Sequence, residues 1–154
     1  MAATKRLLVV AHAPSANTEA LRYAVAEGAH EVPEIDTVVR GPFDTGPDEV
    51  LAAQAVILGT TENLGYMSGA LKDFFDRCYY PLLEETEALP YALYVRAGQD
   101  GTGTRRAVES ITSGLRWKRA HEPVICRGAW DDAFLDRARE LGMYMAAGLD
   151  AGIL

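Results

Sequence analysis

Two kinds of hydrophobic pattern alternate along the chain. Short apolar runs recur at Lys5–Ala11 (KRLLVVA), Ala55–Thr60 and Tyr91–Ala97 (YALYVRA), with weaker ones at Glu34–Val39 and Glu122–Cys126. Runs of this length, bounded by Gly, Pro and polar residues, predict strands buried on both faces, as in a parallel sheet. Between them the apolar positions take up helical spacing. Leu21, Ala24, Val25 and Ala29 predict a helix over Thr18–Ala29, with Gly28 near its C-cap. Leu71, Phe74, Phe75 and Cys78 predict one over Ser68–Tyr80 that ends before Pro81. Ala107, Val108, Ile111 and Leu115 predict a third over Thr104–Lys118. Phe134, Leu135, Ala138, Leu141 and Tyr144 predict a closing helix over Asp131–Ala147, with Asp131 or Asp132 as N-cap. Gly41, Pro42, Gly46 and Pro47 break the chain, and Thr45 or Asp48 starts a short helix to Ala53.

Five strands alternating with five helices form a doubly wound parallel sheet, and at this length the common strand order is 2-1-3-4-5. Its switch point lies between strands 1 and 3, where such sheets place their ligands. The loops expected to converge there are His12–Thr18, Thr60–Gly69 and Ala97–Gly103.

Composition narrows the function classes. The 154 residues make one domain over 1–154, and 49% hydrophobic with 24% charged residues is ordinary for a globular chain. A formal net charge of −7 argues against nucleic acid as a partner, because no basic patch exists to displace counterions from phosphates. Arg105 with Arg106, and Arg116 with Lys118 and Arg119, are small clusters that read as solvated faces. No apolar run approaches the length of a membrane span, and a strand begins near the N-terminus with no room for a signal peptide, so a cytoplasmic protein without a membrane partner is expected. Cys78 and Cys126 have neither CxxC nor metal-ligand spacing and read as two reduced core thiols, and no metal site is expected.

The loops carry the candidate chemistry. Ser15-Ala16-Asn17-Thr18 runs small and hydroxylic residues into a helix N-terminus, where free N–H groups hold a phosphate without any arginine, although Ser15 or Asn17 would equally serve as a plain helix cap. It is neither a Walker A loop nor a dinucleotide fingerprint, since the Gly-Lys-Ser/Thr and the spaced glycines are missing. Ser15 and Ser68 lack a nucleophile elbow, which makes a hydrolase the weaker enzyme class.

Gly65-Tyr66-Met67-Ser68-Gly69-Ala70-Leu71-Lys72-Asp73-Phe74 resembles the Gly-x-Met-Ser-Gly-x-x-Lys-x-Phe signature of the NAD(P)H-dependent flavin and quinone reductases of the flavodoxin superfamily. Ser15–Thr18 is similar to the phosphate loop of that superfamily, and Ala97–Gly103 to its third loop. The resemblance implies a flavodoxin-like three-layer α/β/α sandwich with a five-stranded parallel sheet and FMN at the switch point. His12, Ser15, Ala16, Asn17 and Thr18 would surround the phosphate. Thr61, Glu62, Asn63, Leu64 and Gly65 would line one side of the isoalloxazine, and Ala97, Gly98, Gln99 and Gly101 the other. The flavin carries the chemistry in that case, so no catalytic residue is assigned.

The implied activity is FMN-dependent NAD(P)H oxidoreduction, with NADH or NADPH as co-substrate and a quinone or other small acceptor. The alternative is a flavodoxin-type carrier without nicotinamide activity. Carriers usually flank the ring with aromatic residues, whereas here Leu64 occupies the second loop with only Tyr66 nearby. The second loop departs from its relatives in having Thr61-Glu62-Asn63, and the Glu62 carboxylate is expected to face solvent. His12 reads as a surface loop residue or a phosphate donor, and His121 as an exposed turn or a flavin neighbour. Trp117 is expected to be partly buried against the sheet, and Asp73, Asp76 and Arg77 form the polar face of their helix. The sequence also allows a homodimer to which the tail Ala151–Leu154 contributes.

Overall fold

The computed structural model describes residues 4–154. Its strands are β1 (Arg6–Ala11), β2 (Asp36–Arg40), β3 (Ala55–Asn63), β4 (Tyr66–Met67), β5 (Pro90–Ala97), β6 (Lys118–Arg119) and β7 (Val124–Arg127). The helices are α1 (Ala16–His30), α2 (Pro47–Leu51), α3 (Gly69–Leu82), α4 (Thr102–Gly114) and α5 (Ala133–Ala151), with a 3-10 turn at Pro42–Asp44. The parallel sheet runs β2-β1-β3-β5, and both β6 and β7 pair with β5, on its first and last residues respectively. The expected fifth strand is therefore split in two, and the order 2-1-3-4-5 holds with that interruption. Lys118 and Arg119, expected at a helix end and in a turn, form the first piece.

Alternation along the strands sorts the core into two layers. Leu7, Val9, Ala11, Ala92 and Tyr94 face α1 and α5, whereas Leu8, Val10, Leu93 and Val95 face the other side with Val50, Phe74, Phe75 and Val108. The central strands are buried on both faces, which explains why they read as continuous apolar runs. Trp117 joins the second layer, donating its indole N–H to Thr86 Oγ1 at 2.8 Å. Cys78 and Cys126 are buried and free, as expected; burial pushes the Cys78 thiol up to about 11 and raises that of Cys126.

Pro81 was expected to lie beyond its helix, yet α3 runs through it to Leu82. At the last turn its missing N–H costs only one bond, and the Leu83 amide closes the end on the carbonyls of Tyr79 and Tyr80. The expected polar face of α3 holds the i,i+4 pairs Lys72–Asp76 and Arg77–Asp73, and Arg77 also donates to the carbonyls of Pro42 and Thr45. That bond set fixes α3 against the segment linking β2 to α2.

Helices α1 and α5 approach so closely that glycine is required at their crossing. A Cβ on Gly142 would stand 1.9 Å from the Val25 carbonyl oxygen, and one on Gly28 1.9 Å from that of Arg139. Gly142→Ala should therefore lower unfolding free energy by about 1–3 kcal/mol through forced separation of the helices. Gly69→Ala, at a helical position with open space around it, should be neutral or slightly stabilising. Chemical denaturation of the two variants against the parent chain is the check, and equal stability of all three would contradict this packing.

Candidate functional site

The site is built at the carboxyl ends of β1, β3 and β5, where Ala11, Gly59 and Tyr94 stand in register. Strand order reverses about β1, so the loops leaving these strands share one edge. Gly59 leaves room for Tyr94, whose hydroxyl would lie 2.4 Å from a Cβ at that position.

The first loop, from His12 to Ser15, enters α1 through a reciprocal cap. Ser15 Oγ accepts from the Thr18 amide at 3.2 Å, and Thr18 Oγ1 accepts from the Ser15 amide at 2.9 Å. The two hydroxyls also bond each other at 2.9 Å. Of the residues expected at a phosphate, Ser15 and Thr18 thus have their hydroxyls committed to the helix end, and Thr18 is buried. The amides of Ala16 and Asn17 differ, since the first residues of a helix have no carbonyl within it to bond, and both residues are exposed. His12 is half-buried; burial, and then the Arg22 guanidinium, lower its pKa and favour the neutral imidazole.

The second loop is a hairpin. Strand β3 continues past the sheet to Asn63, turns at Leu64 and Gly65, and returns as β4, with Glu62 opposite Met67 and Asn63 opposite Tyr66. Both turn residues have positive φ, 53° at Leu64 and 74° at Gly65, the conformation of the tight turn that follows the twist of the strands. Leu64 projects fully into solvent at the tip. Below it, the Ser68 amide donates to Thr60 Oγ1 at 3.0 Å, and Ser68 Oγ caps α3 by accepting from the Leu71 amide at 3.1 Å.

The third loop corrects two expectations. Glu62 does not face solvent: its carboxylate accepts from the Gln99 amide at 3.2 Å and the Gly101 amide at 2.7 Å. Gly101, expected beside the ring, is turned inward. It is buried with φ 72°, and a Cβ on it would meet Ile125 at 2.7 Å. The hairpin and the third loop are joined again lower down, where a Cβ on Gly103 would stand 2.2 Å from the Gly65 carbonyl oxygen and Thr104 Oγ1 donates to the Tyr66 carbonyl at 2.9 Å. The two loops are thus held in contact along their inner sides. What they present is a joined rim, on which Thr61, Asn63, Gly65, Gly98 and Gln99 are accessible and Gly98 has open space where a Cβ would be. Ala97 is buried as the last residue of β5.

Two other candidates fall away from this edge. His121 precedes β7, its Nδ1 lies 2.7 Å from the Glu122 carbonyl and its ring packs edge-on to Tyr144. Trp117 is in the core. Conversely, sequence reasoning missed Arg96 and Trp130. Arg96 Nη1 donates to the carbonyls of Ala97 and Cys126 at 2.8 and 2.9 Å, and its guanidinium lies over the rings of Trp130 and Phe134. The cation at the foot of the third loop was hidden because its partners come from two other elements. A groove of about 770 Å³ also runs along α1 and β2, lined by Glu19, Tyr23, Ala26 and Val39, on the flank of the sheet rather than at the switch point. Among the described residues no cluster of His, Cys, Asp or Glu has the arrangement of a metal site, and no helix is long and apolar enough to cross a membrane.

Replacing Glu62 by Ala removes the acceptor of two loop amides, a loss worth about 1–3 kcal/mol locally. Amide hydrogen exchange at Gln99 and Gly101 should accelerate in Glu62→Ala while exchange in β1 stays slow. Unchanged protection at Gly101 would contradict the bridge.

No family model matches the sequence. A flavodoxin of Aquifex aeolicus is 26% identical over 110 residues, which cover 71% of this chain and 60% of that protein, so the chain matches less than two thirds of the length of this curated relative. Among solved structures, a flavodoxin from the domain Archaea superposes with a TM-score of 0.78 at 18% identity, covering 94% of this chain and 99% of its own. The two-electron reduced flavodoxin of Megasphaera elsdenii gives 0.75 at 17%, covering 92% and 98%. A WrbA-like flavodoxin protein of Agrobacterium tumefaciens gives 0.76 at 16%, covering 97% and 99%. With its parallel sheet, its helices on both faces and its loops gathered at the switch point, the chain has the flavodoxin-like fold.

Proposed function

We propose that this chain binds FMN across the carboxyl edge of its sheet and acts as an FMN-dependent oxidoreductase, with NADH or NADPH as electron donor and a quinone or other small molecule as acceptor. The observation that carries the reading is the pair of exposed, uncommitted amides of Ala16 and Asn17 at the start of α1, at the edge that also bears the hairpin and the third loop. Such donors, at the positive end of a helix dipole, suit a phosphate dianion. The residues present therefore fit the group, with the amides of the helix start rather than the Ser15 and Thr18 hydroxyls holding its phosphate. The flavin when bound supplies the redox chemistry. The chain's own part is to seat the ring on the rim of Thr61, Asn63, Gly65, Gly98 and Gln99, and to keep that rim rigid through Glu62. Glu62 and Gly101 contribute from beneath, by holding the loops, and not by touching the ring.

The openness of the rim favours a reductase. Among the described residues of the hairpin, Tyr66 is the sole aromatic, 42% exposed, and the space above Gly98 is clear, which leaves a face for nicotinamide to approach. The alternative, a single-electron carrier, is favoured by the likeness to flavodoxins and by the acidic surface of a chain with net charge −7, suited to basic protein partners. In either case the protein is expected to work in the cytoplasm, and dimerisation is open to it.

Asn17→Asp is the direct probe of the phosphate position. It is exposed and keeps the side-chain shape, yet sets a negative charge beside the free amides. FMN affinity, read by quenching of flavin fluorescence, should fall at least about tenfold, while the weaker binding of riboflavin stays unchanged. Addition of NADH or NADPH to the FMN-loaded chain should then bleach the flavin absorption within seconds. Equal loss of FMN and riboflavin affinity would remove the first loop from the phosphate site. Reduction by dithionite alone would replace the reductase by the carrier.

A further inference from the structure

The two edges of the sheet differ in what they leave open. One edge is the split strand: β6 has 2 residues, and along β7 the Arg137 guanidinium donates to the Ile125 carbonyl at 3.1 Å. A short, interrupted strand with an arginine laid on a carbonyl resists the addition of another strand. At the other edge β2 pairs with β1 in unbroken register and contains neither proline nor lysine. The Asp36 amide donates to the Lys5 carbonyl, so in this parallel pair Asp36, Val38 and Arg40 turn their backbone groups toward β1, and Thr37 and Val39 turn theirs outward. Those outward groups of Thr37 and Val39 have no backbone partner among the described residues.

The side chains of this edge add to its open backbone. Thr37 and Val39 stand in register with Leu7 and Val9 and so share the α1 face, where Val39 lines the groove of about 770 Å³ together with Tyr23 and Ala26. Tyr23 is 70% exposed and Val39 36%, an apolar wall left uncovered beside the strand. Glu19, Glu27 and Glu31 border the same groove, with Glu27 held by Arg139. These carboxylates repel a second acidic chain at long range, so any attraction has to come from the strand itself. On the opposite face, Asp36 is paired with Arg6 at 2.8 Å and Val38 packs on the second core layer. Arg40 is exposed, and its side chain has no partner among the described residues.

The order Asp36-Thr37-Val38-Val39-Arg40 is complementary to itself when reversed. An antiparallel copy bonds to this edge only where outward residues face outward residues, which permits Thr37 opposite Thr37, Thr37 opposite Val39, or Val39 opposite Val39. The second of these sets Asp36 against Arg40 and Val38 against Val38. The other two each set a charged residue against Val38.

We propose that β2 pairs with β2 of a second copy of this chain in that register, about a twofold axis at Val38, and joins the two sheets into one. Thr37 and Val39 of one copy then exchange backbone bonds with Val39 and Thr37 of the other, and the added strand projects those two side chains over the groove. Each Asp36 carboxylate comes to lie between Arg6 of its own chain and Arg40 of the other. Val38 meets its copy at a non-hydrogen-bonded position, where facing side chains are closest. This assembly goes beyond the oxidoreductase reading and does not rest on it.

The test is sedimentation of the full chain over a range of concentrations, run without FMN so that it stands apart from the cofactor. The parent chain should be a dimer that dissociates on dilution. Arg40→Glu, at an exposed side chain without a partner, brings carboxylates face to face and should raise the dissociation constant at least about tenfold. Val39→Pro removes an amide that bonds nothing within the chain, so it should weaken the dimer equally while the circular dichroism of the fold is kept. Val38→Cys tests the register: oxidation should link two copies, because residues facing each other at a non-hydrogen-bonded position stand about 4.5 Å apart at Cα. Val39→Cys lies diagonal to its copy, beyond the roughly 7 Å that a disulfide spans, and should stay unlinked. The native Cys78 and Cys126 are buried and do not compete. A parent chain that stays monomeric at millimolar concentration, or a dimer that Arg40→Glu and Val39→Pro leave as tight as before, overturns the proposal. So does linkage that fails at Val38→Cys or proceeds as readily at Val39→Cys.

Discussion

The Glu62 carboxylate is the point on which the site depends. It reaches from the hairpin into the third loop and accepts two backbone N–H groups, a charge-assisted arrangement stronger than neutral bonds of the same geometry. Without it, the amides of Gln99 and Gly101 would have to find water at a bend where Gly101 is buried. Gly103 lets the start of α4 close up on the Gly65 backbone, and Thr104 completes the seam at the Tyr66 carbonyl. Two loops from separate strands thereby become one rigid rim. The two loops therefore present one joined surface toward the first loop.

The chain is acidic overall, and the carboxyl edge of the sheet carries both signs, with Arg22 near His12 and Arg96 at the foot of the third loop beside the carboxylates of Glu62 and Asp100. The first loop adds the two free amides of α1, whose dipole favours negative charge within the first turn.

Much of the scaffold was legible in the pattern of apolar residues, because β1, β3 and β5 are buried on both faces and α1, α3, α4 and α5 each keep an apolar stripe. The three loops were legible for the same reason: a strand that ends in a polar, glycine-bearing turn marks the sheet edge. Details that depend on contacts between distant residues were not. Nothing local tells that Leu64 adopts positive φ, so the hairpin read as an open loop. Glu62 has no partner within its own segment, and solvent was the natural reading until the third loop folded over it. Gly101 read as a residue lining the ring, but a Cβ on it would meet Ile125, so its glycine is needed for packing. Pro81 was read as a stop, although the last turn of a helix tolerates it. Arg127, which lines one cleft with Arg105 and Arg106, lies too far along the chain to be grouped with them from sequence.

The central claim is that FMN sits on a rim held shut by Glu62, with its phosphate at the start of α1. The most direct measurement is a backbone amide NMR titration of the chain with FMN. The amides of Ala16, Asn17 and Gly98 should shift the most, and the Gly101 amide should keep its slow exchange because its bond to Glu62 persists in the complex. Shifts confined to the α1–β2 groove, or a Gly101 amide freed on binding, would contradict the account.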